Sequence, residues 1–367
     1  MRLAWRELLR NRRRFAPTTV ALGLLVLLLL MLGGLLDGLY LGSTGALRAQ
    51  KSDLAVFDRS ARESSLRSRI EPATRATIED VDGVAATHGF GIALVGAEIP
   101  GESAIADAAV IGYEGNVDGV PAPPAPGQAW ADRALEARGL DEGDVVRVGP
   151  TRIPLKVVGW VEDTSYLQQA GLWVEPDTWR QVLAESRPGA AVGDDVFQNV
   201  WVDVAGGADP AEVAAAIDAA TGTTETVTRD AAVLALPGIK EQNSIFTQII
   251  GVTFLVAGLV VALFFALLTL ERTPMLGVLK AVGASSRQLV GSLLTQTLVV
   301  TAIAYLVGGI VAVGLAAVIP PDVPLVITPS RALFVAVGVF VAALIGGAIS
   351  LRRIIKIDPA SAIGTGT

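Results

Sequence analysis

The sequence predicts a membrane protein of four transmembrane α-helices in a one-plus-three arrangement. A large α+β extracytoplasmic domain made of two lobes is inserted between helices 1 and 2. Three observations predict it. Four apolar runs each reach the roughly 20 residues that a helix needs to cross a bilayer core about 30 Å thick. The mean hydropathy is +0.53 and only 18% of residues are charged, against about 25% in an ordinary soluble domain. The charge is also segregated. Residues 37–244 hold 16 Lys and Arg against 32 Asp and Glu, a balance of −16, and the rest of the chain carries +9.

Residues 1–15 read as a cytoplasmic interfacial amphipathic helix, with Trp5, Leu8 and Leu9 on one face and arginines around much of the rest. The first span covers 16–37; it follows Arg10, Arg12, Arg13 and Arg14 and ends at Asp37. Its length, and the lack of an A-x-A site beyond it, mark an uncleaved anchor and not a signal peptide. The second span covers 245–270, the third 289–319 and the fourth 332–351, with Arg352, Arg353 and Lys356 just beyond. The third run exceeds a minimal span, so it tilts or projects past the bilayer.

The short loops set the orientation. The N-terminal segment has six arginines, the 271–288 connection has Arg272, Lys280 and Arg287, and the 352–367 tail is basic. The 320–331 connection has one Asp and one Arg. By the positive-inside rule both termini and residues 271–288 are cytoplasmic, and 38–244 faces the other side. Gly34 and Gly38 form a G-x-x-x-G pair; with Gly308, Gly309, Gly346 and Gly347 they are candidate positions for close helix packing. No ionisable side chain sits mid-span, which argues against a proton relay or ion-coupled pathway.

The inserted domain reads as two lobes: an α+β lobe from 38–120 and 190–244, and a β-rich lobe from 121–189. Ser52–Val56 is a strand candidate, Glu71–Val81 has helical spacing, Asp82-Gly83 is a turn, and Val84–Val95 reads as extended. Val200–Val204 alternates as a strand. Asp209-Pro210 with Glu212 starts a helix that Gly222 ends, and Thr223–Thr228 returns as a strand. The run 121–126 reads as a proline-rich hinge. Beyond it Ala131–Arg138 is a short helix, and Asp144–Val148, Leu155–Glu162 and Leu172–Val174 are strands. Five tryptophans fall in this domain, most of them core residues.

Composition excludes several functions. With no cysteine there is no disulfide, thiolate metal site or cysteine nucleophile, and one histidine, His88, does not make a zinc site or a catalytic triad. The acidic balance of the polar domain excludes nucleic acid as a partner. Asp194-Asp195 and Glu162-Asp163 read as solvated acid pairs on turns with nothing nearby to complete a site. No catalytic residue, cofactor or metal is expected. No G-x-x-x-x-G-K-[ST] occurs, so the chain has no P-loop of its own.

The segment Glu271–Ser285, ERTPMLGVLKAVGAS, resembles the signature E-R-x-x-E-I-G-x-L-R-A-x-G-A of FtsX-like ABC permeases, the family of the MacB, LolC/LolE and DevC types. The tail Ile357–Ile363 resembles its short DP motif, and Ala129–Trp179 is similar to the MacB-type periplasmic pattern. Met275 stands where many members have glutamate, after Pro274, and Lys280 replaces the common arginine.

The resemblance implies a permease subunit without motor that binds a separate ABC ATPase and a second permease copy or paralogue in a bacterial cell membrane, with an adaptor or extracytoplasmic partner protein. It implies that 271–288 is a coupling helix under the membrane, docking through Glu271, Arg272, Met275, Leu276, Gly277, Leu279, Lys280, Gly283, Ala284 and Arg287. ATP-driven motion then passes through the spans to the outer domain, for export or extraction of a substrate. Two other readings are a mechanotransmitter that regulates cell-wall hydrolases, whose outer domain is usually smaller than this one, and a membrane-anchored scaffold or sensor.

Overall fold

The structure, a computed structural model, describes residues 12–281, 286–320 and 323–355. The chain divides into two compact units, Leu39–Glu241 and the remainder on either side of it. One helix, α1 (Arg12–Arg48), supplies residues to both. Its apolar residues sort by the helical period. Leu22, Val26, Leu29, Leu30 and Leu36 are buried, while Val20, Leu24 and Leu28 form an exposed stripe at four-residue spacing.

In the inserted unit the first strand alternates between two cores, and both of its faces are covered. Along β1 (Leu54–Asp58), Leu54 and Val56 point into one core, and Ala55 and Phe57 into another. The first of these cores is closed by α2 (Pro72–Glu79), which contributes Ile78. Next comes β2 (Val84–Glu98), a strand of 15 residues, followed by β3 (Ala106–Tyr113), β4 (Gln128–Asp132), β5 (Val145–Val148), β6 (Ile153–Val161) and β7 (Ala170–Val174). Then α3 (Pro176–Ser186), β8 (Asn199–Val204), α4 (Pro210–Thr221), β9 (Thr224–Thr228) and α5 (Arg229–Leu234) complete the unit.

The nine strands form one sheet in the order β3-β7-β4-β6-β5-β2-β8-β1-β9, with an added β2–β3 pairing that closes six of them into a ring. Small and branched side chains fill that ring: Ala93, Val110, Ala131, Val146, Leu155 and Leu172. The helix α3 covers it. Its Trp179 lies against Gly91 on β2 and Gly112 on β3, where a Cβ at Gly112 would come 2.5 Å from the tryptophan Cβ.

The β-rich part therefore begins before the expected boundary at 121. The first half of β2 pairs with β8, and its second half pairs with β3 and β5, so residues 91–113 belong to the β-rich ring. A strand of this length, about 50 Å at 3.3 Å per residue, has room for two sets of partners. The expected proline-rich hinge is instead a pinned loop: Tyr113 Oη donates to Pro121 O at 2.7 Å and Trp130 Nε1 to Ala122 O at 3.1 Å. The helix expected at 131–138 is shorter, a 3-10 turn over Arg133–Arg138 capped by Asp132, and Ala131 belongs to β4.

The remaining helices are α6 (Ile239–Ala281), α7 (Ser286–Ala316) and α8 (Pro329–Ile355). With α1 they give four helices long and apolar enough to cross a membrane, over Ala16–Arg48, Ile239–Phe264, Leu294–Ala316 and Pro329–Gly346. Their interior holds Leu22, Val261, Val300, Ala304, Val335 and Val339. Outward they expose Leu255, Leu259, Ile310, Val313, Phe334 and Val341, an apolar surface suited to lipid tails. An α+β domain between the first and second of four apolar helices is the arrangement the sequence predicts.

Candidate functional site

Residues 271–281 do not form a separate helix. They continue α6 without a break, over 43 residues and about 65 Å. The apolar stretch before them has no Gly, Pro or Asx terminator between Thr269 and Thr273, and a proline such as Pro274 is tolerated within membrane helices. Glu271, Arg272, Met275, Leu276, Gly277, Leu279 and Lys280 thus lie on the last turns of α6, and Arg287 on the first turn of α7. Gly283 and Ala284 lie outside the described residues, as do 1–11 of the N-terminal segment and the DP motif.

The glycines of the spans sit at three kinds of contact. On α7, a Cβ at Gly308 would stand 2.5 Å from Gly23 O of α1 and 3.0 Å from the Val26 Cβ. On α8, a Cβ at Gly346 would lie 2.9 Å from Ala262 N of α6, against the Gly258 carbonyl. At both places two helix backbones meet where neither carries a side chain, the geometry that small residues permit. Gly309 is looser, with only Leu30 Cδ1 at 4.0 Å, and Gly347 lies within α8.

Gly34 and Gly38 do something else. They seat the non-helical connection between α7 and α8. A Cβ at Gly34 would lie 3.1 Å from Ile327 Cγ1, one at Gly38 would lie 3.0 Å from Leu325 N and run into the Pro324 carbonyl, and Val326 N donates to Gly34 O at 3.0 Å.

Beside them is an ion pair the sequence reading did not single out. Arg331, on the first turn of α8, donates from Nε to Asp37 Oδ2 at 3.1 Å, and its Nη2 contacts Asp37 Oδ1. Thr328 Oγ1 donates to Asp37 Oδ2 at 3.0 Å and accepts from Arg331 N, capping α8. The two charged side chains are only 18% and 16% exposed. The stem of Arg331 crosses Gly33, where a Cβ would meet its Cδ at 2.6 Å. Tyr305 Oη donates to Ala332 O at 2.8 Å and ties α7 to the same turn. The available signal was a lone acid ending one apolar run and a lone base opening another.

The last turns of α1 are held inside the other unit by residues 163–168. Ala46 N donates to Ser165 O, while Leu167 N and Gln168 N donate to Ser43 O and Gly42 O. Arg48 reaches both oxygens of Asp163 at 2.8 and 2.7 Å. Asp163, expected as a solvated acid, is therefore paired, and Glu162 accepts from Arg133 Nε at 2.9 Å. His88 lies on β2 with its Nε2 3.1 Å from Asp203 Oδ2. Among the described residues no group of three or more His, Asp or Glu is placed to hold a metal ion.

Two cavities accompany these features. An apolar groove of about 540 Å³ runs between α6 and α8, lined by Phe254, Leu259, Gly258, Phe334, Gly338 and Val341. A mixed pocket of about 500 Å³ is lined by Tyr40, Arg48, Arg229, Asp230, Val233 and Leu234. The bundle offers surfaces for helices and apolar bodies.

Comparison with known proteins bears on the same helices. Residues 248–359 match the family described as FtsX-like permease C-terminal. The whole chain is 24% identical over 368 residues to the whole of the "Putative hemin transport system permease protein HrtB" of Staphylococcus epidermidis. An "Uncharacterized ABC transporter permease" of Mycobacterium tuberculosis is 35% identical over 113 residues, 30% of this chain and 31% of that one. Among solved structures, the extracellular domain of the noncanonic ABC-type transporter YknZ from Gram-positive bacteria aligns with a TM-score of 0.33 and 14% identity, over 48% of this chain and 98% of that one. The periplasmic region of MacB from Actinobacillus actinomycetemcomitans aligns with a TM-score of 0.36 and 12% identity, over 52% and 94%.

Proposed function

We propose that this chain, an ABC transporter permease carrying an FtsX-like permease domain over residues 248–359, couples ATP hydrolysis by a separate subunit to motion of its inserted domain. The observation that carries the reading is the coincidence of that match with three of the four apolar helices, in a sequence with no P-loop. The last turns of α6, residues 282–285 and the start of α7 form the handle on which the ATPase acts. The inserted domain lies outside the cytoplasm, both termini lie inside, and the complex holds two permease chains.

Motion, not passage through a polar channel, suits the bundle. No ionisable side chain lies in the middle of a predicted span, and the charged pair Asp37–Arg331 stands where one apolar run ends and another begins. The inserted domain then opens and closes on a substrate, which is exported or extracted. The relatives aligned end to end are described as hemin transport permeases, and we take hemin as the first substrate to test.

The purified chain alone should hydrolyse no ATP and should regain hydrolysis in complex with a co-expressed ATPase subunit. Robust hydrolysis by the chain alone sinks the assignment. Deleting the gene should raise sensitivity to hemin; unchanged sensitivity removes hemin and leaves the permease reading in place.

A further inference from the structure

We propose that Asp37 and Arg331 are positioning residues for transport: they clamp the α7–α8 connection onto α1, so that displacement of α7 and α8 is passed to α1. The proposal rests on the permease reading above and deepens it by naming where the motion crosses between helices.

Three observations carry it. First, the contact is largely backbone against backbone. Gly34 and Gly38 offer no side chain to Pro324, Leu325 and Val326, and Val326 N bonds directly to Gly34 O. A contact of this kind cannot absorb a shift by changing rotamers. Second, the ion pair is withdrawn from water and shared with Thr328. Losing either partner strands the other in a poorly solvated place, so the pair breaks only at high cost. A pair like this is weak evidence for stability but a good device for fixing register. Third, α1 runs unbroken from Arg12 to Arg48, and its last turns bond to residues 163–168 through Ser43, Gly42, Ala46 and Arg48. A push delivered at residue 37 therefore enters the helix whose last turns make those bonds, beginning a turn and a half further on.

The test is hydrogen exchange of the full chain, assembled with its ATPase in nanodiscs, with and without ATP trapped by vanadate. In the wild-type complex, trapping should change exchange both in 286–300 and in 39–50. In Asp37→Asn and in Arg331→Gln, the 286–300 response should persist and the 39–50 response should be lost. The double variant should match the singles, as expected for two residues acting through one contact. A merely structural pair would alter basal exchange and leave the nucleotide-dependent difference in place. If Asp37→Asn fails to reach the membrane folded, Arg331→Gln reads the same contact from its other side. Variants that keep the full 39–50 response overturn the clamp. A wild-type complex with no nucleotide response in either segment overturns the transporter reading, and the clamp with it.

Discussion

Burial decides the chemistry of individual residues in the inserted domain. Tyr166 is almost fully buried, and burial pushes its hydroxyl up to about 12. The neutral phenol is favoured in the folded state, so its contribution is fully present below pH 10 and is lost as pH rises from 10 towards 12. A shift of that size corresponds to roughly 2–3 kcal/mol. Tyr166→Phe removes the ionisation and keeps the ring. Near-UV circular dichroism against pH should show the variant outlasting the wild type between pH 10 and 12, and coincident curves reject the assignment. Packing gives a second residue-level expectation. Trp179 occupies the space that side chains at Gly91 and Gly112 would need, and it stacks on Phe197 with ring centroids 6.2 Å apart. Trp179→Ala should cost about 3–5 kcal/mol in urea unfolding of the domain; a loss below 1 kcal/mol would show the ring to be dispensable. Neither glycine was legible as a packing position, because a lone glycine in a strand says nothing of which large side chain lies across it.

Among the elements, legibility followed local punctuation. Asp209-Pro210 and Gly222 announce α4 in the sequence, and the helix starts and ends there, with Asp209 accepting from Ala211 N and Gly222 in the left-handed region. The same punctuation announces α3, which the sequence reading passed over: Glu175 caps it, accepting from Asp177 N and Thr178 N at 2.7 Å, with Pro176 at the first position. Glu175→Ala should destabilise the domain by about 1 kcal/mol through loss of that cap, measured as a lower urea midpoint at unchanged slope. An unchanged midpoint would mean that tertiary packing alone sets the start of α3. The strands β3 and β4 were hidden for another reason. Ala106–Tyr113 and Gln128–Asp132 are rich in alanine, and with both faces of these two strands largely covered there is little polar alternation to read, whereas β5 and β6 keep an exposed face and alternate. In the spans, the glycines were legible as small residues but not by partner. Gly308 receives a helix, whereas Gly34 and Gly38 receive a loop, a difference set by residues far away in the chain. Gly308→Leu should therefore disrupt the α1–α7 crossing and lower the yield of folded chain from the membrane, while Gly309→Leu, with only Leu30 at 4.0 Å, should be tolerated.

For the molecule as a whole, the one-plus-three arrangement was legible because apolar length and basic flanks are properties of the chain itself, independent of folding partners. The orientation read from those flanks, with both termini inside, is a proposal that the absence of cysteine makes directly testable. Ser103 lies exposed in the connection between β2 and β3, in the inserted domain. Ser285 lies between α6 and α7, within the short segment whose basic residues argue for the cytoplasm. In intact cells a membrane-impermeant maleimide should label Ser103→Cys, and it should label Ser285→Cys only after permeabilisation. The reverse pattern would put the inserted domain on the same side as the ATPase. Motion would then have no membrane to cross, and the clamp at Asp37 and Arg331 would lose its purpose. The expected pattern leaves a sharper requirement. A motor acting as proposed on α6 and α7 must move a domain whose chain continues from α1 and runs on into the start of α6. With the proposed handle on α6, motion reaches α1 through the helices packed beside it. Leu279→Asp, on the last turns of α6, should therefore abolish ATPase co-purification without changing the labelling pattern. If the ATPase still co-purifies, the handle lies elsewhere on the cytoplasmic face.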